Sequence, residues 1–198
     1  MGDCGNKGQF LPIFVPFSAS INNKRANKVV ARGSNHISVD AKGRMSIPTK
    51  LRDALVSTDD GHLVVTASPS DRCLLMYTSE DWCVVEQKIT SLPSLNKQTR
   101  QLKRMLIGHA DDCQMDGSGR ILLPAQLREY AYIDRKAVLV GQGGNYEIWD
   151  EAHWLAQRES MLSIELDEAN LPDELSSLSF YVAKFLKGFG KFREFTMN

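Results

Sequence analysis

The sequence predicts a mainly β fold with short helices, of the α+β class, with an internal twofold pseudo-symmetry. The first reason is a repeat, because VDAKGRMSIP at residues 39–48 is echoed by MDGSGRILLP at residues 115–124. The second is that short segments of alternating apolar and polar residues surround both copies, as in half-buried strands. Two copies are too few for a solenoid, so we expect the two halves to pack together around one core.

The repeat needs no gap and keeps one offset of 76 residues. In each copy, an aspartate is followed at fixed spacing by a turn glycine, an arginine and a proline. The matched pairs are Asp40 and Asp116, Gly43 and Gly119, Arg44 and Arg120, Pro48 and Pro124, Leu51 and Leu127, and Arg52 and Arg128. This pattern indicates an internal duplication.

The first copy is expected to begin with a hairpin. HISVD and RMSIP alternate apolar and polar residues, and AKG between them fits a three-residue turn in which Gly43 takes positive φ. Asp40 can accept backbone N–H bonds across that turn. Pro48 suits the first turn of a helix, so TKLRDAL is expected to form one or two helical turns.

The later elements of the first copy recur in the second. LVVTAS and CLLMYT predict a strand pair, followed by a helix that a capping box of Thr78 and Asp81 begins and that carries Trp82. In the second copy the hairpin is CQMD with RILLP, the short helix is AQLREYA, and the strands are AVLVGQ and YEIWD. Asp150 is expected to cap a helix that carries Trp154. Between the copies, QTRQLKRMLIGH predicts a basic amphipathic helix.

These patterns divide the chain into six segments. FLPIFVPFSA, residues 10–19, is too short to span a membrane, so no membrane partner is expected. The predicted segments are a non-core extension (1–29), a first repeat (30–82), a helical linker (83–112), a second repeat (113–154), an acidic helical segment (155–180) and a non-core tail (181–198).

Composition argues against a metal site and against indiscriminate binding to polyanions. Lys and Arg total 24 and Asp and Glu total 24, so the formal net charge is zero. An excess of basic residues before position 56 is compatible with a local nucleic-acid face, and also with solvated charges on unrelated surfaces. The four cysteines form no CxxC pair, and no Cys/His cluster has zinc spacing. We expect no cofactor, and reduced thiols in the cytoplasm.

An enzyme is the least supported class of function. Asp40 and Asp116 could be paired carboxylates, one acid and one base. A turn-capping role explains both without chemistry, because each is followed by a turn glycine in the same local frame. The sequence contains no nucleophile elbow, HExxH motif or P-loop, and GQGGN fits a hairpin turn.

DNA binding is better supported, with Arg44 and Arg120 as the central residues. Strand alternation places Arg44 and Ser46 on one face and Met45 and Ile47 on the other. The planar fork of arginine can bond guanine O6 and N7 bidentately. The neighbouring basic residues predicted to contact DNA are Lys42, Lys50 and Arg52, and the lysine side chains would supply salt-sensitive phosphate contacts.

Two alternatives remain open at this point. Arg44 could form an ion pair with Asp40, and Arg120 with Asp116, so that the arginines are structural. Both roles can hold if each aspartate only orients its arginine. The chain could also be a structural oligomerisation module without a ligand.

The residues that carry the repeat also carry a family resemblance. DAKGRMSIP and DGSGRILLP, two D-x-x-G-R-x-x-x-P motifs, resemble the bacterial MraZ proteins, as do LIGHADDCQMDGSGR and VLVGQ…YEIWDEAHW. A single motif would indicate only the wider AbrB/SpoVT superfamily. The resemblance implies two AbrB-like swapped-hairpin modules that close into one pseudo-symmetric β-barrel with flanking helices. An AbrB-like antitoxin usually has one motif and a disordered toxin-binding tail, so it fits poorly.

The resemblance also implies a function. It implies a ring-shaped homo-oligomer that binds direct repeats in double-stranded DNA, in the cytoplasm and at the nucleoid. The usual role is control, typically repression, of the division and cell-wall gene cluster, with binding upstream of the regulator's own gene. The motif arginines face DNA in that family, which carries over to Arg44 and Arg120. Lys42 matches the first motif's common lysine, where the second copy has Ser118. Arg32 matches a basic residue near the usual start, although VARGS replaces the expected F-R-G.

Overall fold

The computed structural model describes residues 31–163, in which eight strands and five helices are found. The strands are β1 (Ser34–Ser38), β2 (Arg44–Ser46), β3 (His62–Ala67), β4 (Leu74–Thr78), β5 (Asp111–Gln114), β6 (Arg120–Leu122), β7 (Lys136–Gly141) and β8 (Tyr146–Asp150). The helices are α1 (Thr49–Asp59), α2 (Ser79–Ser91), α3 (Lys97–Leu106), α4 (Ala125–Tyr130) and α5 (Glu151–Ser163). This mixture confirms the predicted α+β class.

The order of the strands displays the pseudo-twofold symmetry. Six strands form an antiparallel sheet in the order β1-β7-β8-β4-β3-β5. In this sheet, β1, β3 and β4 of the first copy correspond to β5, β7 and β8 of the second. Exchanging the members of each pair gives the same strand order read in the opposite direction. The aromatic pairs obey the same symmetry: ring centroids are 5.6 Å apart in Tyr77 and Trp82, and 5.9 Å apart in Trp149 and Trp154. Each copy therefore contributes half of one shared sheet.

The pairing of β2 and β6, the two strands outside this sheet, differs from the simple hairpins expected from the residues. A tight turn does link β1 to β2, but beyond it the strands separate, with only Val39 and Met45 bridged. β2 instead pairs with β6 of the other copy, and β1 pairs with β7. The strand exchange that the resemblance implied is therefore present. Local alternation could not reveal it, because both pairings bury the same faces.

The expected closed barrel is wrong for the described residues. The hydrogen-bonded order ends at β1 on one side and at β5 on the other, and β2 with β6 forms a separate two-stranded ribbon. β2 and β6 are only three residues long, and the backbone leaves each through a tight turn on one side and a proline on the other. A strand this short cannot extend a continuous ladder to both sheet edges, so the ribbon covers one face of the sheet instead.

The described residues form three layers, with the sheet in the middle. On one face lies the ribbon, whose inward residues Met45 and Ile121 are fully buried together with Leu139 of β7. On the other face, Trp154 of α5 packs with Val138, the neighbour of Leu139 in sequence. Alternate residues of one strand thus contact opposite layers. Helices α2 and α3 also lie on the second face, through Trp82, Ile89 and Leu106 against Val64.

The two helix caps expected from the sequence are present, whereas helix α1 is longer than expected. The Thr78 hydroxyl accepts the N–H of Asp81 at 3.2 Å, and Oδ1 of Asp150 accepts the N–H groups of two following residues, which confirms both predicted caps. Helix α1 runs for 11 residues, not the one or two turns expected. It ends only at Asp60 and Gly61, which both have positive φ and cap the last turn.

Several expectations concern residues outside the described range. They are the non-core extension (1–29), most of the acidic helical segment (155–180) and the non-core tail (181–198), and the division of the core into two repeats and a linker stays a proposal. Within residues 31–163, no helix is both long enough and apolar enough to cross a membrane.

Candidate nucleic-acid interface

The first turn is organised by a single carboxylate. Oδ1 of Asp40 accepts the backbone N–H groups of Lys42 and Arg44, each at 2.9 Å. Gly43 has φ +82°, and its N–H donates to the carbonyl of Asp40. Oδ2 of Asp40 accepts Nε of Arg44 at 2.7 Å. One oxygen therefore closes the turn and the other fixes the direction of the arginine.

The second turn repeats this geometry almost atom for atom. Oδ1 of Asp116 accepts the N–H groups of Ser118 and Arg120, and Oδ2 accepts Nε and Nη2 of Arg120 at 3.0 and 2.9 Å. Gly119 has φ +74°. The ion pairs that the sequence left as a structural alternative therefore both exist.

These contacts lower the pKa of both aspartates. The hydrogen bond from the backbone N–H of Arg44, aided by its side chain and the N–H of Lys42, lowers the pKa of Asp40 to about 2. At Asp116 the leading cause is the hydrogen bond from the Arg120 side chain, and the pKa is again below the ordinary value. Both carboxylates are therefore ionised at neutral pH, and each fixes its arginine by a charge-assisted bond.

Strand pairing brings the two arginines onto one face of the ribbon. Arg44 lies opposite Leu122, and Ser46 lies opposite Arg120. Residues opposite each other in an antiparallel pair share a face, so these four side chains point outward while Met45 and Ile121 point into the core. The Arg44 and Arg120 side chains are 35% and 31% exposed. We call the face formed by Arg44, Ser46, Arg120 and Leu122 the ribbon face.

The other residues predicted to contact DNA lie at different distances from the ribbon face. Lys42 is exposed in the Asp40–Arg44 turn. Lys50 is exposed in the first turn of helix α1, which begins directly after Pro48. Arg32 is not brought near them. It precedes β1, whereas the turn follows β1, so the five residues of that strand, roughly 17 Å of extended chain, lie between Arg32 and the turn.

Arg52 has a structural contact that its position in sequence did not predict. Its Nε donates to the carbonyl of Ile47 at 2.7 Å, and the side chain is half-buried. Its guanidinium lies against Gly119 of the other copy, because a Cβ placed on that glycine would collide with it. Arg128, which was identified only as part of the repeat, lies against Gly43 in the same way.

The prolines position the ribbon relative to the short helices. Pro48 and Pro124 are the N-caps of α1 and α4, and their carbonyls accept the N–H groups of Arg52 and Arg128 respectively. Neither helix has a side-chain cap at this end. Each proline thus ends a ribbon strand and starts the helix that carries the next arginine.

Comparison with known proteins identifies relatives over most of the chain. The family model described as "MraZ protein, putative antitoxin-like" matches twice, at residues 30–105 and 106–173, so that each match contains one turn. A transcriptional regulator MraZ of Marinomonas sp. (strain MWYL1) is 52% identical over 132 residues, covering 67% of this chain and 87% of the relative. The transcriptional regulator MraZ of Alkalilimnicola ehrlichii is 49% identical over 148 residues, covering 75% and 98%. That of Pseudomonas aeruginosa (strain LESB58) is 48% identical over 147 residues, covering 74% and 97%.

Proposed function

This chain belongs to the MraZ family, whose relatives carry the name of transcriptional regulators, and we propose that it regulates transcription by binding double-stranded DNA through the ribbon face. The observation that carries the proposal is that Arg44 and Arg120 lie on one exposed face, each oriented by its own aspartate. Arg44 is held through Nε, and its two terminal amino groups have no hydrogen-bond partner among residues 31–163. Those amino groups are the part of an arginine that reaches a base edge.

The ribbon suits the DNA major groove, which admits a two-stranded β-ribbon. Arg44 and Arg120 are diagonal neighbours across the pair, a relation that separates residues by about 7–8 Å. Successive base pairs are about 3.4 Å apart, so the two arginines span about two steps. We propose that each contacts a guanine by its O6 and N7 atoms.

Phosphate contacts would come from the lysines beside the ribbon. Lys42 lies in the turn that presents Arg44, and Lys50 lies in the first turn of α1, where free backbone N–H groups also favour an anion. Lys42 and Lys50 are replaced in the second copy by Ser118 and Gln126. We therefore propose that the first copy supplies more of the salt-sensitive affinity than the second.

Two arginines per chain provide little discrimination on their own. We propose that the chain assembles into a ring-shaped homo-oligomer whose ribbon faces bind direct repeats together, which multiplies weak contacts. In line with the family resemblance, we propose that these repeats lie upstream of its own gene and that binding represses the division and cell-wall gene cluster. The cytoplasm and the nucleoid are the proposed location.

The test is a titration of the purified protein onto labelled DNA from upstream of its own gene, over a series of salt concentrations. We expect salt-sensitive binding that Arg44→Ala and Arg120→Ala each weaken by about tenfold or more, the cost of losing a bidentate base contact. Arg158→Ala is the matched control, because Arg158 is exposed on α5, behind the sheet. Binding that is unchanged in both folded variants would place the DNA contact elsewhere. A folded, oligomeric wild type that binds none of this DNA would favour the structural oligomerisation module.

A further inference from the structure

The arginine pair Arg52 and Arg128 links the two repeats in a crossed pattern. Arg52 belongs to the first repeat, and its Nε donates to the carbonyl of Ile47 at 2.7 Å, yet its guanidinium covers Gly119 in the second turn. Arg128 belongs to the second repeat, and its Nε donates to the carbonyl of Leu123 at 3.3 Å. Its guanidinium covers Gly43 in the first turn, where an added Cβ would lie 2.7 Å from Nε.

The backbone bonds beside these arginines are crossed as well. The N–H of Ile47 donates to the carbonyl of Gly119 at 2.9 Å, and the N–H of Leu123 donates to the carbonyl of Gly43 at 3.0 Å. Ile47 therefore uses its N–H on the second turn and its carbonyl on Arg52. Each turn glycine is held through its carbonyl by one residue of the other repeat and covered by an arginine of that repeat.

From this arrangement, which rests on the proposed function, we infer that Arg52 and Arg128 are positioning residues that act across the repeats. Arg52 holds the Asp116–Arg120 turn for Arg120, and Arg128 holds the Asp40–Arg44 turn for Arg44. The DNA contact proposed for one motif arginine thus depends on an arginine of the other motif's repeat.

Arginine is required for this role because of its shape. Its guanidinium is planar and lies against a glycine that has no side chain, while its Nε–H donates to a backbone carbonyl. Lysine retains the charge but has no Nε–H and no planar group. Substitution by lysine therefore removes the geometric role and keeps the electrostatic one, so it separates positioning from a phosphate contact.

The first measurement uses the protein without DNA. We expect Arg52→Lys to raise the pKa of Asp116, measured by NMR of the side-chain carboxyls, because the turn it closes loosens. The pKa of Asp40 should stay in place. Arg128→Lys should do the opposite, raising the pKa of Asp40 and leaving that of Asp116. If Arg52→Lys does not fold, Arg52→Gln, which retains a planar N–H donor, is measured in the same way.

The second measurement is DNA binding in double-mutant cycles. Arg52→Lys should weaken binding by about threefold or more, a size typical of coupling between contacting residues. Combined with Arg120→Ala it should add little further loss, whereas combined with Arg44→Ala it should add its full effect. Arg128→Lys should show the reverse pairing, so each repeat is the matched control for the other.

Two outcomes would overturn the inference. One is a change in the pKa of the same-repeat aspartate, or no change in either aspartate, when Arg52 or Arg128 becomes lysine. The other is a loss of binding that adds equally to Arg44→Ala and Arg120→Ala, as expected for a phosphate contact. If the wild type binds no DNA, the proposed function fails, and the pKa measurement still decides whether the arginines position the turns.

Discussion

At the scale of single residues, each motif aspartate has two tasks that are divided between its oxygens. Oδ1 of Asp40 accepts two backbone N–H groups of the turn, and Oδ2 holds Arg44. A turn-capping aspartate and an arginine-orienting aspartate are therefore the same residue. An ion pair usually competes with ligand binding for the arginine, but here it engages Nε of Arg44 and leaves the terminal amino groups.

The pH dependence of the turns follows from the lowered pKa values. The pKa of Asp40 falls from its ordinary 3.8 to about 2 on folding, so Asp40 stabilises the fold above about pH 4, and that contribution is lost as the pH falls toward 2. At Asp40, the main cause of the lowered pKa is the hydrogen bond from the backbone N–H of Arg44. At Asp116, it is the hydrogen bond from the side chain of Arg120. We therefore expect Arg120→Ala to raise the pKa of Asp116 more than Arg44→Ala raises that of Asp40, as measured by NMR titration. Equal or reversed shifts would contradict this.

The turn glycines offer a test that separates backbone strain from crowding. Gly43 and Gly33 have similar φ, +82° and +80°, but a Cβ on Gly43 would meet Arg128, whereas a Cβ on Gly33 would meet no atom of residues 31–163 within 4 Å. Alanine at positive φ costs roughly 1–2 kcal/mol. We expect Gly33→Ala to lower the free energy of unfolding by about that amount and Gly43→Ala by clearly more, in denaturant titrations. Equal losses would show that Arg128 moves aside freely.

At the scale of elements, the two-stranded ribbon has one face buried against the sheet and one face directed outward. Met45 and Ile121 face each other across β2 and β6 and are both fully buried. Three residues per strand would not be stable alone in water, because a two-stranded unit is marginal there. Burial of the inner face therefore holds the ribbon face in position.

Substitutions on the two sides of β2 should consequently differ. Met45→Ala removes a fully buried side chain and should lower the free energy of unfolding by about 2–5 kcal/mol. Ser46→Ala, one residue further along the same strand and partly exposed, should change it by less than about 0.5 kcal/mol. Chemical denaturation of the two variants makes the comparison. A large loss for Ser46→Ala, or a small one for Met45→Ala, would contradict this picture of the ribbon.

Sequence predicted the turns, the caps and the strand positions, because all of these depend on neighbours in the chain. Gly43, Asp40 and the Thr78 cap are examples, and each is found as expected. β2 could pair with β1, its neighbour in the hairpin, or with β6, which lies 76 residues further along the chain. Both pairings would bury the same face of β2, so the alternation of apolar and polar residues does not distinguish them. Only the resemblance indicated the exchange of strands.

The placement of Arg52 and Arg128 was also beyond local reasoning. The sequence showed that both belong to the repeat, and Arg52 was counted among the basic residues predicted to contact DNA. A matched arginine that follows a matched proline at the same spacing in both copies was the available signal for a structural role. The crossing of the repeats, however, is visible only once the ribbon pairs.

At the scale of the whole molecule, neither repeat has a sheet of its own. β1 pairs with β7, β5 pairs with β3, and β4 and β8 join the halves at the centre. The two edge strands each depend on the other repeat. The two copies therefore share one sheet, and we expect them to unfold as one cooperative unit.

Single cooperative unfolding is the consequence that can be measured. Trp82 reports on the first copy, and Trp149 and Trp154 on the second. In variants that retain only one of these reporters, with phenylalanine at the other positions, we expect fluorescence transitions at the same denaturant concentration, coincident with far-UV circular dichroism. Transitions that separate by copy would show that the repeats unfold independently.

The measurement that bears most directly on the central claim is photo-crosslinking from the ribbon face to DNA. A photoreactive benzoylphenylalanine replaces Leu122, which is 57% exposed and lies opposite Arg44. The control position is Val84, which is 52% exposed on α2, behind the sheet. With DNA from upstream of the protein's own gene, we expect crosslinks from position 122 and none from position 84. Crosslinks from position 84 alone, with both variants folded and bound, would contradict the assignment of DNA binding to the ribbon face.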